Sequence, residues 1–418
     1  MASESEDNAN TASGISVALI MLGIVLTPAL LAAAGVGSSL APGDIVPVVL
    51  TGGVILAVLS MITLTIGAVS RRTTYELVKF PFGRKGSVVI NWVMAISLSG
   101  WIVVTSSSFA QSLAGLTDGT VLDLPAPVWV VIGTAIFVAA TAFGFEALGK
   151  IARFAIPVAV VILAYIIFQV IGSDAELAAV DATMPFGVAV SSFVGTVMVL
   201  VTLSPDMGSF ARNGNHARLA ALLTFGVAYV LLFAAVAYPS ALTGEGSLLG
   251  STALLGGALA ASLLLAFACF TSNAGNMFQG TLAYSALFPG IEQKWKITVG
   301  LGVATAIIAF FPILSYLVPF LLFLGIATPP VAGIYIADYF THRKGGYRET
   351  ALDNEADLKP IAFVAWLLGS ATGLATVNGL FTLTLIPSLD SLLIASASYV
   401  VFGKLFGQNA TASANSAK

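Results

Sequence analysis

This chain is short of charge: Asp, Glu, Lys and Arg make up only 9% of its 418 residues, against about 25% in a soluble domain. It has one cysteine, Cys269, so no internal disulfide can form. It has two histidines, His216 and His342, both in basic loops and read as ordinary surface residues. With no Cys/His cluster, a structural zinc site has no ligands. No readable nucleophile–base pair exists, so an enzyme lacks its constellation. The apolar stretches contain no chain of Asp, Glu and His, so a proton relay lacks its carriers. Asp206, Glu146 and Asp338 fall near expected helix ends, where capping or gate pairing accounts for them. The net charge of −3 and the absence of a basic stripe exclude nucleic acid as a partner. A receptor would need a soluble output domain, and there is no room for one. A channel would need pore loops or charged rings, which are also missing.

What is present is apolar sequence: 58% of residues are hydrophobic and the mean hydropathy is +0.98. A spanning helix needs about 20 mainly apolar residues, and the chain holds about twelve such stretches. The expected spans are 15–38, 45–70, 87–113, 126–147, 151–173, 186–205, 216–240, 254–286, 296–312, 314–338, 360–378 and 385–406. All 17 Lys and Arg fall into clusters separated by two spans each, whereas the intervening loops carry acids such as Asp44, Asp118, Asp123 and Glu245. Basic loops stay in the cytoplasm, which places the chain as a multi-pass protein of the cell (inner or plasma) membrane with both termini inside. The fold expected is all-α: one membrane domain over 15–406 in contact with lipid, flanked by disordered tails 1–14 and 407–418. Residues 1–14 have no basic n-region and do not read as a signal peptide.

Several spans are punctuated by proline: Thr27-Pro28 in span 1, Ser204-Pro205 closing span 6, and Pro319 with Pro329-Pro330 in span 10. Proline frees a carbonyl one turn back, and a freed group is tolerated in a bilayer only where protein or a water-filled cavity satisfies it. Interruptions in corresponding halves mark a transporter's binding site, and spans 1 and 6 are five apart. A simple kink explains any one of these prolines equally well.

Span 8 carries the most informative polar cluster: Ala268, Thr271, Ser272, Asn273, Asn276 and Gln279. Positions i, i+3 and i+4 share a helix face. The Ala268 carbonyl and the Thr271 and Ser272 hydroxyls can therefore converge, and Gly23 and Leu26 can add carbonyls freed before Pro28. Neutral oxygens of this kind suit sodium, a hard cation. The alternative is that both hydroxyls bond back to their own helix or join two helices. Asn273 and Asn276 face the same interior region, each with a donor and an acceptor. Trp101 sits mid-span among Ser97, Ser99, Gly100 and Thr105, either as a stacking platform for a planar ligand or as filler between helices.

Four stretches carry a resemblance: Met21-Leu22-Gly23; Phe82 to Ser87 followed by Gly100-Trp101; Asp206 with Phe210, Arg212 and Asn213; and Thr271-Ser272-Asn273 with Pro329 to Gly333 and Ile336 to Tyr339. On these residues the chain resembles nucleobase:cation symporter family 1, in its cytosine/purine permease branch, over most of its length. The resemblance implies a sodium-symporter-like fold: a 5+5 inverted repeat with interrupted helices 1 and 6, plus two extra helices. It implies a secondary transporter that imports a nucleobase-like small molecule with sodium as the coupling ion, acting as a monomer and without a cofactor. Its sodium ligands fall on Gly23, Leu26, Ala268, Thr271 and Ser272, the set reached from spacing. Its stacking aromatic falls on Trp101 and its base-bonding amide on Asn273. Three polar or aromatic family positions fall on Leu98, Val197 and Val199, and an acid falls on Ala274. A pocket so altered suits a more lipophilic ring than unmodified cytosine. A proton-coupled or uncoupled permease for a substituted pyrimidine, hydantoin or allantoin-like compound is the alternative.

Overall fold

Twelve apolar helices form in the positions that hydropathy marks. The computed structural model describes residues 11–142, 144–171, 183–255, 257–311, 317–342, 347 and 355–416. The membrane helices are α1 (Gly14–Gly37), α2 (Ile45–Ser70), α3 (Ser87–Thr117), α4 (Ala126–Ala142), α5 (Gly144–Ile171), α6 (Phe186–Thr202), α7 (Gly214–Thr243), α8 (Ala258–Leu287) and α9 (Lys294–Ile308). They continue with α10, in two pieces (Leu317–Ala327 and Pro329–Thr341), α11 (Pro360–Val377) and α12 (Pro387–Ser416). Nine helical stretches among the described residues are long and apolar enough to cross a bilayer, and α4 and α6 are shorter apolar helices. Large side chains such as Val54, Phe154, Val161 and Phe168 are more than 60% exposed. Exposure on that scale is stable only against lipid, so the chain is a multi-pass membrane protein.

Helices five positions apart pack against one another: α1 with α6, α2 with α7, α3 with α8 and α4 with α9. That pairing is what two interlocked five-helix units require. α11 and α12 pair with each other and hold α10 from outside.

The structure adjusts several expected boundaries. The turn between spans 4 and 5 lies at Gly144, whose φ of +75° ends α4, and not at 148–150 between the expected spans; Glu146 and Lys150 both belong to α5. Those charges occupy the first turns of α5, where Glu146 pairs with Lys150 at 2.9 Å. Helix 1 is not interrupted: α1 continues through Pro28, and what the proline removes is one hydrogen bond. Helix 6 does break, at Leu203, before a short continuation Ser204–Gly208.

Neither expected tail is wholly irregular. Ala12 pairs with Ala211 as a short bridge, and α12 runs on to Ser416, so 407–416 is helical. Residues 1–10 and 417–418 lie outside the described residues.

Candidate substrate and ion sites

Pro28 has no N–H, so the carbonyl four residues earlier, on Ile24, loses its helical donor. The Ser272 hydroxyl of α8 supplies one, donating to Ile24 O at 2.7 Å. Beside it, Thr271 Oγ1 lies 3.2 Å from Gly23 O and 3.0 Å from Ala268 O. It also lies 3.2 Å from Phe267 O. One hydroxyl proton cannot serve three acceptors at once, so lone pairs converge here in excess of donors. The helices are close here: a Cβ on Gly23 would come into van der Waals contact with Thr271 Cβ at 3.4 Å. A void of about 10 Å³ lies against Gly23 and Thr271, walled by α5 through Leu148 and Ala152.

Gly23, Ala268, Thr271 and Ser272 come together between α1 and α8. The α1 carbonyl that bonds to Ser272 is that of Ile24, because the bond Pro28 withholds is the one to i−4. Among the described residues no group of three or more His, Cys, Asp or Glu gathers anywhere. The donor set is neutral oxygen throughout, which fits a hard monovalent cation and not a transition metal.

Leu98 and Trp101 of α3, Val197 and Val199 of α6, and Asn276 of α8 meet around one buried cavity. Ile24, Val25 and Pro28 close it from α1, and Thr196, Leu200, Leu203 and Gln279 complete it. Its volume is about 30 Å³, room for one or two waters, so seating a planar ring requires the helices to part. The wall is mostly aliphatic; Asn276, Gln279 and Thr196 supply its polar side chains. Gln279 Nε2 is buried without a partner among the described residues.

Asn273 is not part of that wall. It is fully buried and donates through Nδ2 to Ser106 Oγ of α3 at 2.7 Å, while its Oδ1 has no partner among the described residues. Three residues turn a helix by about 300°, so Asn276 faces the cavity while Asn273 faces α3.

Trp101 is 6% exposed and meets the Phe320 ring of α10 edge-on, centroids 6.1 Å apart at 72°. Gly100 makes room for that ring, since a Cβ would lie 2.2 Å from it. Sequence reasoning missed Phe320; the Gly100-Trp101 pair on a crowded helix was the only signal.

Next to Gln279 along α8, Phe278 joins a cluster of three aromatic rings. Phe145 stacks on Phe210 at 4.2 Å, and Phe278 touches both at 6.0 and 5.9 Å. Asp206, placed at a helix end by the sequence, is indeed a cap: its Oδ1 accepts from Thr74 N at 2.7 Å. Yet it is fully buried, with Oδ2 unpartnered among the described residues, because the helical turn at Thr74–Leu77 folds over it. Asp338 is also buried, accepting from the hydroxyls of Tyr347 at 3.0 Å and Tyr399 at 2.8 Å. A larger space of about 380 Å³ is lined by Leu30, Ser108, Gln111 and Ser247 among others. Asp390, which the sequence did not single out, closes the 11–12 connection by accepting from Thr376, Thr382 and Thr384.

Among the described residues the cavity lies between the paired repeats of a membrane-helix bundle, the place where transporters bind their cargo. The family model for permeases of cytosine/purines, uracil, thiamine and allantoin matches residues 6–401. The chain belongs to that family. It is 26% identical over 404 residues to the cytosine permease of Escherichia coli (strain K12), covering 95% of this chain and 93% of that one. It is 25% identical over 292 residues to the hydantoin permease of Microbacterium maritypicum, covering 64% and 60% of the two chains.

Among solved structures it is similar to Mhp1, a nucleobase-cation-symport-1 family transporter in a closed conformation with bromovinylhydantoin bound. The TM-score is 0.82 at 19% identity, over 96% of this chain and 94% of that one. A sodium-coupled sialic acid symporter shares the fold at TM-score 0.68 and 13% identity, over 96% and 91% of the two chains.

Proposed function

We propose that this transporter imports a planar nucleobase-like N-heterocycle together with sodium, by alternating access. The observation that carries the reading is the position of Ile24. It lines the cavity, and its carbonyl belongs to the oxygen cluster between α1 and α8. An ion held by Gly23, Ile24, Ala268, Thr271 and Ser272 fixes α1 against α8 and so shapes one wall of the cavity. Coupling requires that each ligand favour a state the other shares, and a common residue supplies the link. The ring stacks on Trp101 and bonds to Asn276 and Gln279, while Leu98, Val197 and Val199 contact its apolar edge. Asn273 acts from behind, holding α8 to α3 through Ser106. The basic loops favour a cytoplasmic position for the Phe145–Phe210–Phe278 side, so in this reading loading is from outside and release follows parting of those rings.

Two observations favour a second reading. The aliphatic wall favours a substituted pyrimidine or hydantoin-like ring over unmodified cytosine. The buried carboxyl of Asp206, with its free oxygen, offers a seat for a proton that the sequence alone did not reveal.

The test is uptake into proteoliposomes of labelled cytosine, uracil, hypoxanthine, adenine, allantoin and a substituted hydantoin, with an inward sodium or proton gradient. Sodium-stimulated uptake of a ring compound is the expected result. Uptake indifferent to sodium but driven by protons would sink the ion assignment and turn attention to Asp206.

A further inference from the structure

We propose that an anionic phospholipid seats in the membrane-facing groove between α3, α8 and α9, its phosphate on Lys296 and one acyl chain along Gly300, Ala304 and Ile308. The groove measures about 360 Å³, far larger than the central cavity. Lys296, Gly300, Ala304 and Ile308 line it at four-residue spacing, a single stripe of α9. Gly300 and Ala304 keep the stripe shallow, and a Cβ at Gly300 would meet nothing within 4 Å. From Lys296 to Ile308 the stripe rises about 18 Å at ~1.5 Å per residue. Half of a hydrocarbon core is about 15 Å, so the groove matches one acyl chain of one leaflet. Val103 and Leu301 make the floor apolar. A polar spot lies partway along, where Ser99 Oγ and the Tyr284 hydroxyl bond at 2.9 Å.

The headgroup end has the complementary charge. Lys294 and Lys296 form no ion pair among the described residues. Glu292, in the segment just before α9, leaves the two lysines with a net positive charge. Lys296 Nζ lies 5.9 Å from the Trp295 ring centre, and Trp92 packs edge-on against Tyr284 and Phe288 at 6.1 and 5.9 Å. Tryptophan and tyrosine gather at headgroup level, and basic pockets between helices on the cytoplasmic side hold phosphate headgroups. A zwitterionic headgroup would bring its own cation against these lysines, which selects an anionic lipid. The site borders the machinery: Ser99 and Val103 flank Trp101 on α3, and Tyr284 follows Gln279 on α8. The assignment depends on the cytoplasmic placement of the basic loops and is independent of which ring is carried.

The test compares phosphatidylglycerol with phosphatidylcholine of the same acyl chains, on the full-length protein. Native mass spectrometry should show phosphatidylglycerol retained preferentially, and it should raise the melting temperature by a few degrees more than phosphatidylcholine does. Lys296→Glu should abolish the preference. Gly300→Leu, which fills the groove and keeps both lysines, should abolish it too, with an unchanged melting temperature in phosphatidylcholine showing that the variant folds. Glycerol phosphate without acyl chains should not compete. Equal retention of the two lipids by the wild type would overturn the proposal. So would a preference that survives Gly300→Leu, which would mean charge adsorption elsewhere, or a dimer that buries α9 against a second copy.

Discussion

The ion cluster and the substrate cavity meet at Ile24 but are built from different material. The cluster draws mainly on backbone: the carbonyls of Gly23, Ile24 and Ala268, with hydroxyls from Thr271 and Ser272. The cavity is made of side chains: Leu98, Trp101, Val197, Val199 and Asn276. A carbonyl persists whatever residue carries it, so helix geometry preserves an ion site while sequence drifts. A wall of side chains changes chemistry with each substitution. In the proposed function the two neighbouring sites separate coupling from selectivity.

The most disruptive way to test that separation is to remove both hydroxyls. Thr271→Ala with Ser272→Ala leaves the Ile24 carbonyl, freed by Pro28, without a donor. An unsatisfied buried group costs about 1–3 kcal/mol. Apparent sodium affinity in uptake assays should fall by about thirtyfold or more, corresponding to ~2 kcal/mol. Substrate binding at saturating sodium should largely survive, and an equal loss of both would merge the sites into one.

Trp101→Ala attacks the other side. It removes the ring platform and the edge contact with Phe320, and an aromatic pair contributes about 0.5–1.5 kcal/mol beyond its area. Substrate should bind about tenfold more weakly, while sodium dependence, read by the midpoint of sodium activation, stays in place. A shifted midpoint would show that Trp101 serves both ligands.

Leu98→Gln sharpens the comparison by gain of function. It restores an amide to the wall one turn before Trp101, and a net hydrogen bond is worth about 0.5–1.5 kcal/mol. Uptake of unmodified cytosine should rise roughly fivefold relative to a substituted hydantoin. No change in that ratio would mean that Leu98 does not meet the polar edge of the ring.

The smallest effect belongs to the surface, remote from both sites. Lys85 at 2.7 Å and Arg84 at 2.9 Å hold the Asp357 carboxyl below its usual range, Lys85 contributing most. A carboxyl depressed in the folded state stabilises above its unfolded pKa, and that contribution is lost as pH falls through the folded value. Asp357→Asn should lower the melting temperature slightly at pH 7, with the gap to wild type closing as the solution is acidified. Both sites should be unaffected at neutral pH, since exposed pairs contribute little.

Much of this architecture is legible in the chain. The expected spans 15–38 and 45–70 coincide within a residue with Gly14–Gly37 and Ile45–Ser70. The uncertain stretch 360–406 does divide in two, with Pro360 and Pro387 opening each helix. Where the reading slipped, a local signal misled it. The break expected at 148–150, between spans 126–147 and 151–173, lies instead at Gly144, and Glu146 and Lys150 pair on the first turns of α5. Leu26 looked like the free carbonyl because it stands next to Thr27-Pro28, whereas the geometry of the helix assigns the vacancy to Ile24. Asn273 and Asn276 looked equivalent because both amides lie on α8, and only the direction of each side chain separates them. Asp206 looked peripheral because it ends a span. Its burial depends on the turn at Thr74–Leu77, more than a hundred residues away.

The sequence by itself determined the solvent. Apolar runs of that length are stable in lipid, because the burial of apolar surface is a property of composition along a line. It also determined the bond that Pro28 withholds, since that follows from a missing N–H. Tertiary structure decided which groups answer that vacancy. Ser272 reaches Ile24 across 248 positions, Phe320 reaches Trp101 across the bundle, and Asn273 is spent on Ser106. These outcomes depend on how helices rotate about their axes when they pack. That rotation is set jointly by every neighbour of each helix, and no window of sequence contains it.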